Sequence, residues 1–192
     1  MTVLIGDRKV RIPKVKLLTY DDYFKLTPPD SGNFELHNGQ IIYMPTPIPL
    51  HQKISGKLHF SLFGHIMTNG LGELFAAPMD TKLTENDTVQ PDLLFISKSR
   101  IDIIGDKKIE GAPDFVVEIL SPGNKDKEMS YKKYLYESCG VLEYWVVYPL
   151  RGTIKKYENH DSELILIGEF GVADTIKSSA IKGFSLKVKD VF

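Results

Sequence analysis

Pro113-Asp114-Phe115-Val116-Val117-Glu118-Ile119-Leu120 is the stretch that decides the fold. It is a short apolar run, rich in β-branched and aromatic residues, and it predicts a buried strand over 114–120. Glu118 lies deep inside this run, where a carboxylate is costly unless a charged or hydrogen-bonding group meets it. Side chains alternate along a strand, so Asp114 and Glu118 are expected on one face. The run therefore predicts a buried strand with two acids on one face.

A second carboxylate, Asp92, begins a similar apolar run, Gln90-Pro91-Asp92-Leu93-Leu94-Phe95-Ile96. Proline cannot donate a backbone hydrogen bond to a neighbouring strand, so Pro91 is expected at the first position of this strand. Asp92 is then expected directly after it, at the start of the strand. A shared hard cation such as Mg²⁺ is the simplest explanation for two acids in neighbouring strands. The alternatives are structural: a salt bridge for Glu118, and hydrogen bonds from backbone amides for Asp92.

Two local signals organise the first part of the chain. Thr19 and Asp22 have the spacing of a capping box and predict the start of a short helix. Asn38-Gly39 lies between two apolar-containing runs and predicts a tight hairpin. In that hairpin Glu35 is expected opposite Ile42, on the exposed face.

The rest of the chain predicts one α/β domain over 1–192, with a mixed central sheet flanked by helices and extra hairpins. Helices are expected over 50–67 and near 126–138. The first has one apolar stripe, formed by His51, Ile54, Leu58, Leu62 and Ile66. Strands are expected near 73–78, 80–84, 92–97, 114–120, 143–148, 152–157 and 163–168, with a shorter one late in the chain. Breaks are expected at 28–32 and 121–124.

The composition alone excludes few classes of protein. The formal net charge is −1, which argues weakly against coating of nucleic acid by bulk electrostatics but leaves room for a nuclease with local charge. The single cysteine, Cys139, predicts a protein without internal disulfides in a reducing cytoplasm. No apolar run reaches the roughly 18 residues that suggest a membrane span.

Lys132 is a third candidate, because the helix that carries it directly follows the Glu118 strand. Its ammonium could point back at the end of that strand and assist an attacking water. From the residues alone, the better interpretation is a lysine whose stem covers the core, and Lys133 is an adjacent competitor. His51, on an apolar helical stripe, is more often a core histidine than a ligand.

The motifs resemble the PD-(D/E)xK signature of restriction-endonuclease-like nucleases, and more closely the Uma-two family of that superfamily. The resemblance covers most of the chain. The segments that carry it are Leu18-Thr19, Phe34-Glu35-Leu36-His37-Asn38-Gly39, His51-Gln52, Pro91-Asp92, the run from Pro113 to Pro122, and Gly140-Val141-Leu142-Glu143-Tyr144-Trp145-Val146-Val147-Tyr148-Pro149. One position departs from the superfamily pattern: Leu120 stands where the signature has lysine.

The resemblance implies roles that the residues alone do not. It implies that Lys132 takes the place of the missing lysine and that Glu35 is an acid brought to the metal from the hairpin. Asp114 and His51 also match family-like positions. The superfamily further implies a homodimer, in which two sites cut two strands.

The leading hypothesis is a metal-dependent endodeoxyribonuclease, a hydrolase acting on the phosphodiester bonds of DNA, with RNA as the alternative substrate. Asp92 and Glu118 would hold Mg²⁺, or Mn²⁺ in its place, and Lys132 would assist the attacking water. The second hypothesis is a non-catalytic protein of nuclease fold that binds nucleic acid or a protein partner. The third is that the acids form structural ion pairs.

Overall fold

The computed structural model describes residues 2–5, 8–11, 16–27, 34–121 and 126–192. The breaks predicted at 28–32 and 122–124 lie outside this part. The helices are α1 Tyr20–Leu26, α2 Pro49–Asn69 and α3 Asp126–Cys139, with 3-10 turns at Lys98–Ile103 and Val188–Asp190. The strands are β1 Thr2–Ile5, β2 Arg8–Arg11, β3 Phe34–His37, β4 Gln40–Tyr43, β5 Gly72–Ala76, β6 Thr81–Lys82, β7 Thr88–Val89, β8 Leu93–Ser97, β9 Ile109–Glu110, β10 Phe115–Ile119, β11 Glu143–Tyr148, β12 Thr153–His160, β13 Glu163–Gly171, β14 Thr175–Lys177 and β15 Ser185–Lys187.

A six-stranded sheet in the order β13-β12-β11-β10-β8-β5 forms the centre of the fold. β10 and β11 run parallel, and the other neighbouring strands are antiparallel. The predicted mixed sheet is therefore confirmed. β10 is buried along its whole length, as expected for an inner strand covered on both faces.

The two long helices cover opposite faces of this sheet. Phe115 and Val117 belong to the core cluster that contains the buried stripe of α2. Val116 belongs to the other cluster, with Leu135 and Tyr136 of α3. This alternation places Glu118 on the α3 face, because it shares a strand face with Val116.

The buried stripe predicted for α2 is confirmed at all five positions, and the helix extends slightly beyond its predicted ends. The capping box is also present at the start of α1: the side chain of Thr19 accepts from the backbone N–H of Asp22, and the Asp22 side chain accepts in return. Among the described residues, no helix combines the length and apolar character needed to cross a membrane.

A second, five-stranded sheet has the order β4-β3-β7-β6-β9. Its β3–β4 hairpin has the predicted register, with Glu35 opposite Ile42. Asn38 and Gly39 take φ values of 46° and 70°, the conformation that this tight turn requires. The two-residue strands β7 and β9 are too short to give an alternating pattern in the sequence.

The predicted exposure of Glu35 is wrong. Its exposed fraction is 1%, and Leu36 on the opposite face of β3 is fully buried as well. Both faces of the hairpin strand are therefore covered. The face that carries Glu35 lies against the buried ammonium of Lys132, which lies 97 residues later in the chain.

Candidate active site

Lys132 of α3 bridges an inner strand of each sheet, β3 and β10. It is 2% exposed. Its Nζ donates to Oε1 of Glu35 at 2.9 Å and to Oε1 of Glu118 at 3.0 Å. One ammonium on α3 therefore pairs with a carboxylate from β3 and another from β10. Such short, charge-assisted bonds between buried partners fix all three side chains in place.

Glu118 receives a second hydrogen bond from the same helix. The hydroxyl of Tyr136 donates to Oε1 of Glu118 at 2.6 Å. Tyr136 lies four residues after Lys132, so the two donors project from one face of α3. Both bonds end on Oε1, and no hydrogen bond from the described residues reaches Oε2. The helix thus orients the Glu118 carboxylate and leaves one oxygen available.

Asp92 lies immediately before β8, the antiparallel neighbour of β10. Its Oδ2 accepts from the backbone N–H of Ile119 at 2.7 Å and contacts Nε2 of His51 at 3.1 Å. Because Ile119 follows Glu118 in the chain, this bond fixes the Asp92 carboxylate next to that of Glu118. Asp92 also keeps one oxygen, Oδ1, outside these bonds.

Glu35 is held by three donors. Besides Lys132, the backbone N–H of Gln90 donates to Oε1 at 2.8 Å, and Nε2 of His37 lies 2.7 Å from Oε2. Both carboxylate oxygens are therefore occupied. This arrangement makes Glu35 an anchor for Lys132, and it leaves Asp92 and Glu118 as the acids with an available oxygen.

The two acids bound to Lys132 differ in acidity. Burial would raise the pKa of Glu35, but the charge of Lys132 and the bonds from His37 and Gln90 lower it to about 2. Burial raises the pKa of Glu118 to about 7; Lys132 and Tyr136 oppose this shift, while the charges of Asp92 and Glu35 add to it. Neighbouring acids whose pKa values are driven apart are typical of functional sites.

The surrounding acids raise the pKa values of Lys132 and His51. Burial would lower the pKa of Lys132, but Glu118 and Glu35 raise it above its ordinary value, so the side chain is charged. Burial would also lower the pKa of His51, and Asp92 reverses this effect to give a raised pKa. The Nδ1 atom of His51 is buried and has no hydrogen-bond partner among the described residues.

A cleft with a volume of about 630 Å³ opens over these groups. The polar side chains that line it include those of Glu35, His51, Gln90, Asp92, Glu118 and Lys132. Three carboxylates therefore share the cleft with one lysine and two histidines, His51 and His59. The excess of negative charge attracts cations, and it disfavours a phosphate unless a cation accompanies it.

Two further candidates lie outside the cleft. Asp114, at the opposite end of β10 from Glu118, accepts from the backbone N–H of Ser97 at 2.7 Å and from Arg100 at 3.1 Å. Lys133 pairs with Glu137 on the same helix at 2.9 Å. Both contacts have the geometry of structural ion pairs. Of the two adjacent lysines, only Lys132 reaches the carboxylates.

Three residues of the site were not among the sequence candidates. Tyr136 is four positions from Lys132, and His37 is two positions from Glu35, so helical and strand spacing contained a signal for both. Gln90 contributes its backbone N–H to Glu35, and no side-chain pattern predicts such a contact.

The donor set fits a hard divalent cation. Mg²⁺ is usually bound by one or two carboxylates, with water and substrate phosphate completing its shell. The available oxygens of Asp92 and Glu118, both lining the cleft, correspond to that set. Among the described residues, no group of three or more His, Cys, Asp or Glu side chains is placed to enclose a metal ion. An open two-carboxylate site therefore fits better than an all-protein cage.

Comparison with known proteins defines first the fold and then the family. The chain resembles the crystal structure of "a putative nuclease belonging to DUF820" from Anabaena variabilis ATCC 29413, with a TM-score of 0.76 and 22% identity over 91% of this chain and 97% of that one. The two proteins therefore share one fold. The family model described as "Putative restriction endonuclease" matches residues 20–189, so the chain belongs to the Uma-two family. No curated protein matches the chain.

Proposed function

We propose that the chain is a Mg²⁺-dependent endonuclease that hydrolyses phosphodiester bonds of DNA. Its family and its structural neighbour support a nuclease. One observation carries the proposal further: Nζ of Lys132 is hydrogen-bonded to Glu35 and Glu118 in a cleft that Asp92 also lines. This places a fixed positive charge beside Glu118, in the cleft that Asp92 also lines. Each of these two acids has one oxygen that receives no hydrogen bond from the described residues.

In this proposal Asp92 and Glu118 hold Mg²⁺, with Mn²⁺ as the alternative. When bound, the cation supplies a positive charge for the phosphate and lowers the pKa of a coordinated water. Lys132 holds the Glu118 carboxylate through Oε1 and offsets negative charge that develops during hydrolysis. Glu35 keeps Lys132 charged and in position. His51 and the Ile119 N–H fix the orientation of Asp92.

Cleavage of nucleic acid tests the proposal directly. Purified protein is incubated with supercoiled plasmid and Mg²⁺ or Mn²⁺, beside the variants Asp92→Asn and Glu118→Gln. The matched control is Asp102→Asn, which removes an exposed carboxylate outside the cleft. We expect wild type and control to nick or linearise the plasmid and the two site variants to fall to background. Equal cutting by all four proteins, or none by wild type, contradicts the proposal.

A non-catalytic nucleic-acid-binding protein is the second candidate. The formal net charge of −1, and Leu120 in place of the lysine of the signature, favour it. Calorimetric titration with Mg²⁺ separates the two candidates. Saturable binding that is lost in Asp92→Asn supports the nuclease, while no metal binding together with retained DNA binding supports the alternative.

A homodimer and a cytoplasmic location stay predictions. The exposed side chains of Ile165, Leu166 and Ile167 on edge strand β13 are apolar enough for a contact with a second copy. Light scattering that gives the mass of two chains supports the dimer, and a strict monomer at assay concentration contradicts it. RNA oligonucleotides in the cleavage assay separate the two kinds of nucleic acid.

A further inference from the structure

A second, smaller cavity opens beside the cleft, with a volume of about 170 Å³. Its walls come from the start of α2, from Leu120 and Ser121 after β10, and from the β11–β12 turn, Tyr148 to Arg151. His51 and Ser121 line both the cleft and this cavity. The cavity therefore lies next to the reacting group of a polymer that is bound in the cleft.

Exposed apolar side chains surround the cavity. Leu150 is 81% exposed, and Ile48 and Leu50 are each 39% exposed. Large apolar side chains that gather around a concavity while remaining in water are typical of ligand sites, because a ligand that covers them removes that surface from water. The cavity is therefore built to receive a flat or compact apolar group.

Two positively charged side chains, Arg151 and Lys155, lie near the apolar walls of the cavity. The Arg151 guanidinium lies 5.0 Å from the centroid of the Tyr148 ring, and Nζ of Lys155 lies 5.3 Å from the same centroid. Among the described residues that line the cavity, none is a carboxylate. The cavity thus contrasts with the acidic cleft beside it, and its charge is complementary to that of a phosphate backbone.

We propose that this cavity binds a nucleobase of the strand being cut, unstacked from its neighbours. The inference rests on the proposed nuclease function. A nucleobase has apolar faces that suit Ile48, Leu50 and Leu150, and aromatic rings and guanidinium planes are its usual stacking partners. Arg151 and Lys155 face the phosphate that adjoins this base.

The proposal narrows the substrate class. A base reaches the cavity from a single strand, a flap or an unpaired site, whereas in a duplex it must first leave the stack at a free-energy cost. Single-stranded or locally unpaired DNA is therefore the preferred substrate. The base next to the scissile phosphate contributes to binding through its faces, so the preference for a particular base is weak.

The test compares an oligothymidylate with an oligomer of abasic sites of the same length, because both carry the same phosphates and only one carries bases. Fluorescence anisotropy of end-labelled oligomers is measured with Ca²⁺ in place of Mg²⁺. The variant Leu150→Asp places a charge on the cavity wall. Phe60→Asp is the matched control, since Phe60 is also 81% exposed but lies outside the cavity.

We expect wild type and Phe60→Asp to bind the oligothymidylate about tenfold more tightly than the abasic oligomer. Leu150→Asp is expected to lose this preference. Circular dichroism checks that the variants are folded. The proposal is overturned if wild type shows no preference for bases, or if Leu150→Asp keeps it.

The binding assay tests the cavity proposal, and the plasmid assay tests the nuclease proposal independently of it. A base preference that depends on Leu150, in a protein that cuts nothing with Mg²⁺, supports the cavity and contradicts the nuclease. Cutting by wild type without any base preference supports the nuclease and overturns the cavity.

Discussion

The ammonium of Lys132 lies 3.0 Å from Oε1 of Glu118, although 14 residues separate them in the chain. α3 packs on the face of β10 that carries Val116 and Glu118, and this packing brings the lysine to the carboxylate. Leu120 occupies the place of the lysine in the superfamily signature. A cation from the next element thus reaches the same carboxylate that a strand lysine would serve.

The first prediction concerns this lysine. Lys132→Met leaves Glu35 and Glu118 buried without their counter-charge, which is expected to cost about 3–5 kcal/mol of unfolding free energy. Lys133→Met is the matched control, one position along the same helix. It loses a partly exposed pair with Glu137 and is expected to cost only about 0.3–0.5 kcal/mol. Urea denaturation measures both.

Activity separates the same two variants. Lys132→Met is expected to abolish plasmid cutting under conditions in which it remains folded, while Lys133→Met cuts like wild type. If Lys132→Met is as stable and as active as Lys133→Met, Lys132 is not part of the active site.

Two tyrosines in edge-to-face contact give a second prediction. The ring centroids of Tyr136 and Tyr144 lie 5.2 Å apart. Only Tyr136 donates to Glu118; the hydroxyl of Tyr144 is buried without a hydrogen-bond partner among the described residues. Tyr136→Phe is therefore expected to cost about 1.5–3 kcal/mol, since it removes a bond to a charged group. Tyr144→Phe keeps the ring and is expected to be neutral or stabilising.

Calorimetry extends this comparison to the metal. Without the Tyr136 hydroxyl, the pKa of Glu118 rises further, because that bond lowers it. We expect weaker Mg²⁺ binding at neutral pH in Tyr136→Phe and unchanged binding in Tyr144→Phe. Identical metal affinities in the two variants contradict a role for Tyr136 in holding Glu118.

Much of the fold could be predicted from the sequence because its signals are local. The capping box at Thr19 and Asp22, the Asn38-Gly39 turn and the stripe of α2 each depend on residues a few positions apart. Spacing of 3.6 or 2 residues is sufficient to detect them. The strand at Phe115–Ile119 is equally clear, because Glu118 is the one polar residue in an otherwise apolar run.

The site was less predictable because its contacts span long distances in sequence. Glu35 looked exposed because the alternation of β3 shows only which residues share a face. It does not show that Lys132 covers that face from 97 positions away. Asp114 had the same local signal as Glu118, but its position at the other end of β10 gives it Arg100 as a partner. A local sequence pattern does not identify a contact partner that lies far away in the chain.

A third prediction concerns low pH. The pKa of Glu35 is about 2 in the folded protein, below its ordinary value of 4.5. A depressed carboxyl pKa stabilises the fold fully above pH 4.5, and this contribution is lost as pH falls from 4.5 toward 2. Glu35→Gln lacks this titration, so its unfolding free energy is expected to fall less steeply than that of wild type in this window.

Urea denaturation at several pH values between 3 and 6 measures this difference. Glu73→Gln, which removes an exposed acid on β5, is the control and is expected to follow wild type. Parallel stability curves for wild type and Glu35→Gln contradict the assigned ion pair between Glu35 and Lys132.

The last prediction concerns Glu143, a fully buried acid at the end of the β10–β11 pair opposite the cleft. Its Oε1 accepts from the indole N–H of Trp145 at 2.6 Å. Its Oε2 accepts from the Oγ and the backbone N–H of Ser179 at 2.8 and 2.7 Å, and also from Ser178 and Ala180. The carboxylate thus fastens the 178–180 loop to the sheet.

Glu143→Gln retains only one acceptor oxygen for these donors, so either the Trp145 indole or the loop amides lose their partner. We expect a loss of about 1–3 kcal/mol in unfolding free energy, the cost of one buried unsatisfied donor. Glu169→Gln, on exposed strand β13, is the control and is expected to change stability little. Because Glu143 lies away from the cleft, plasmid cutting by the folded variant should equal that of wild type. A large loss of cutting at full stability would instead place Glu143 in the site.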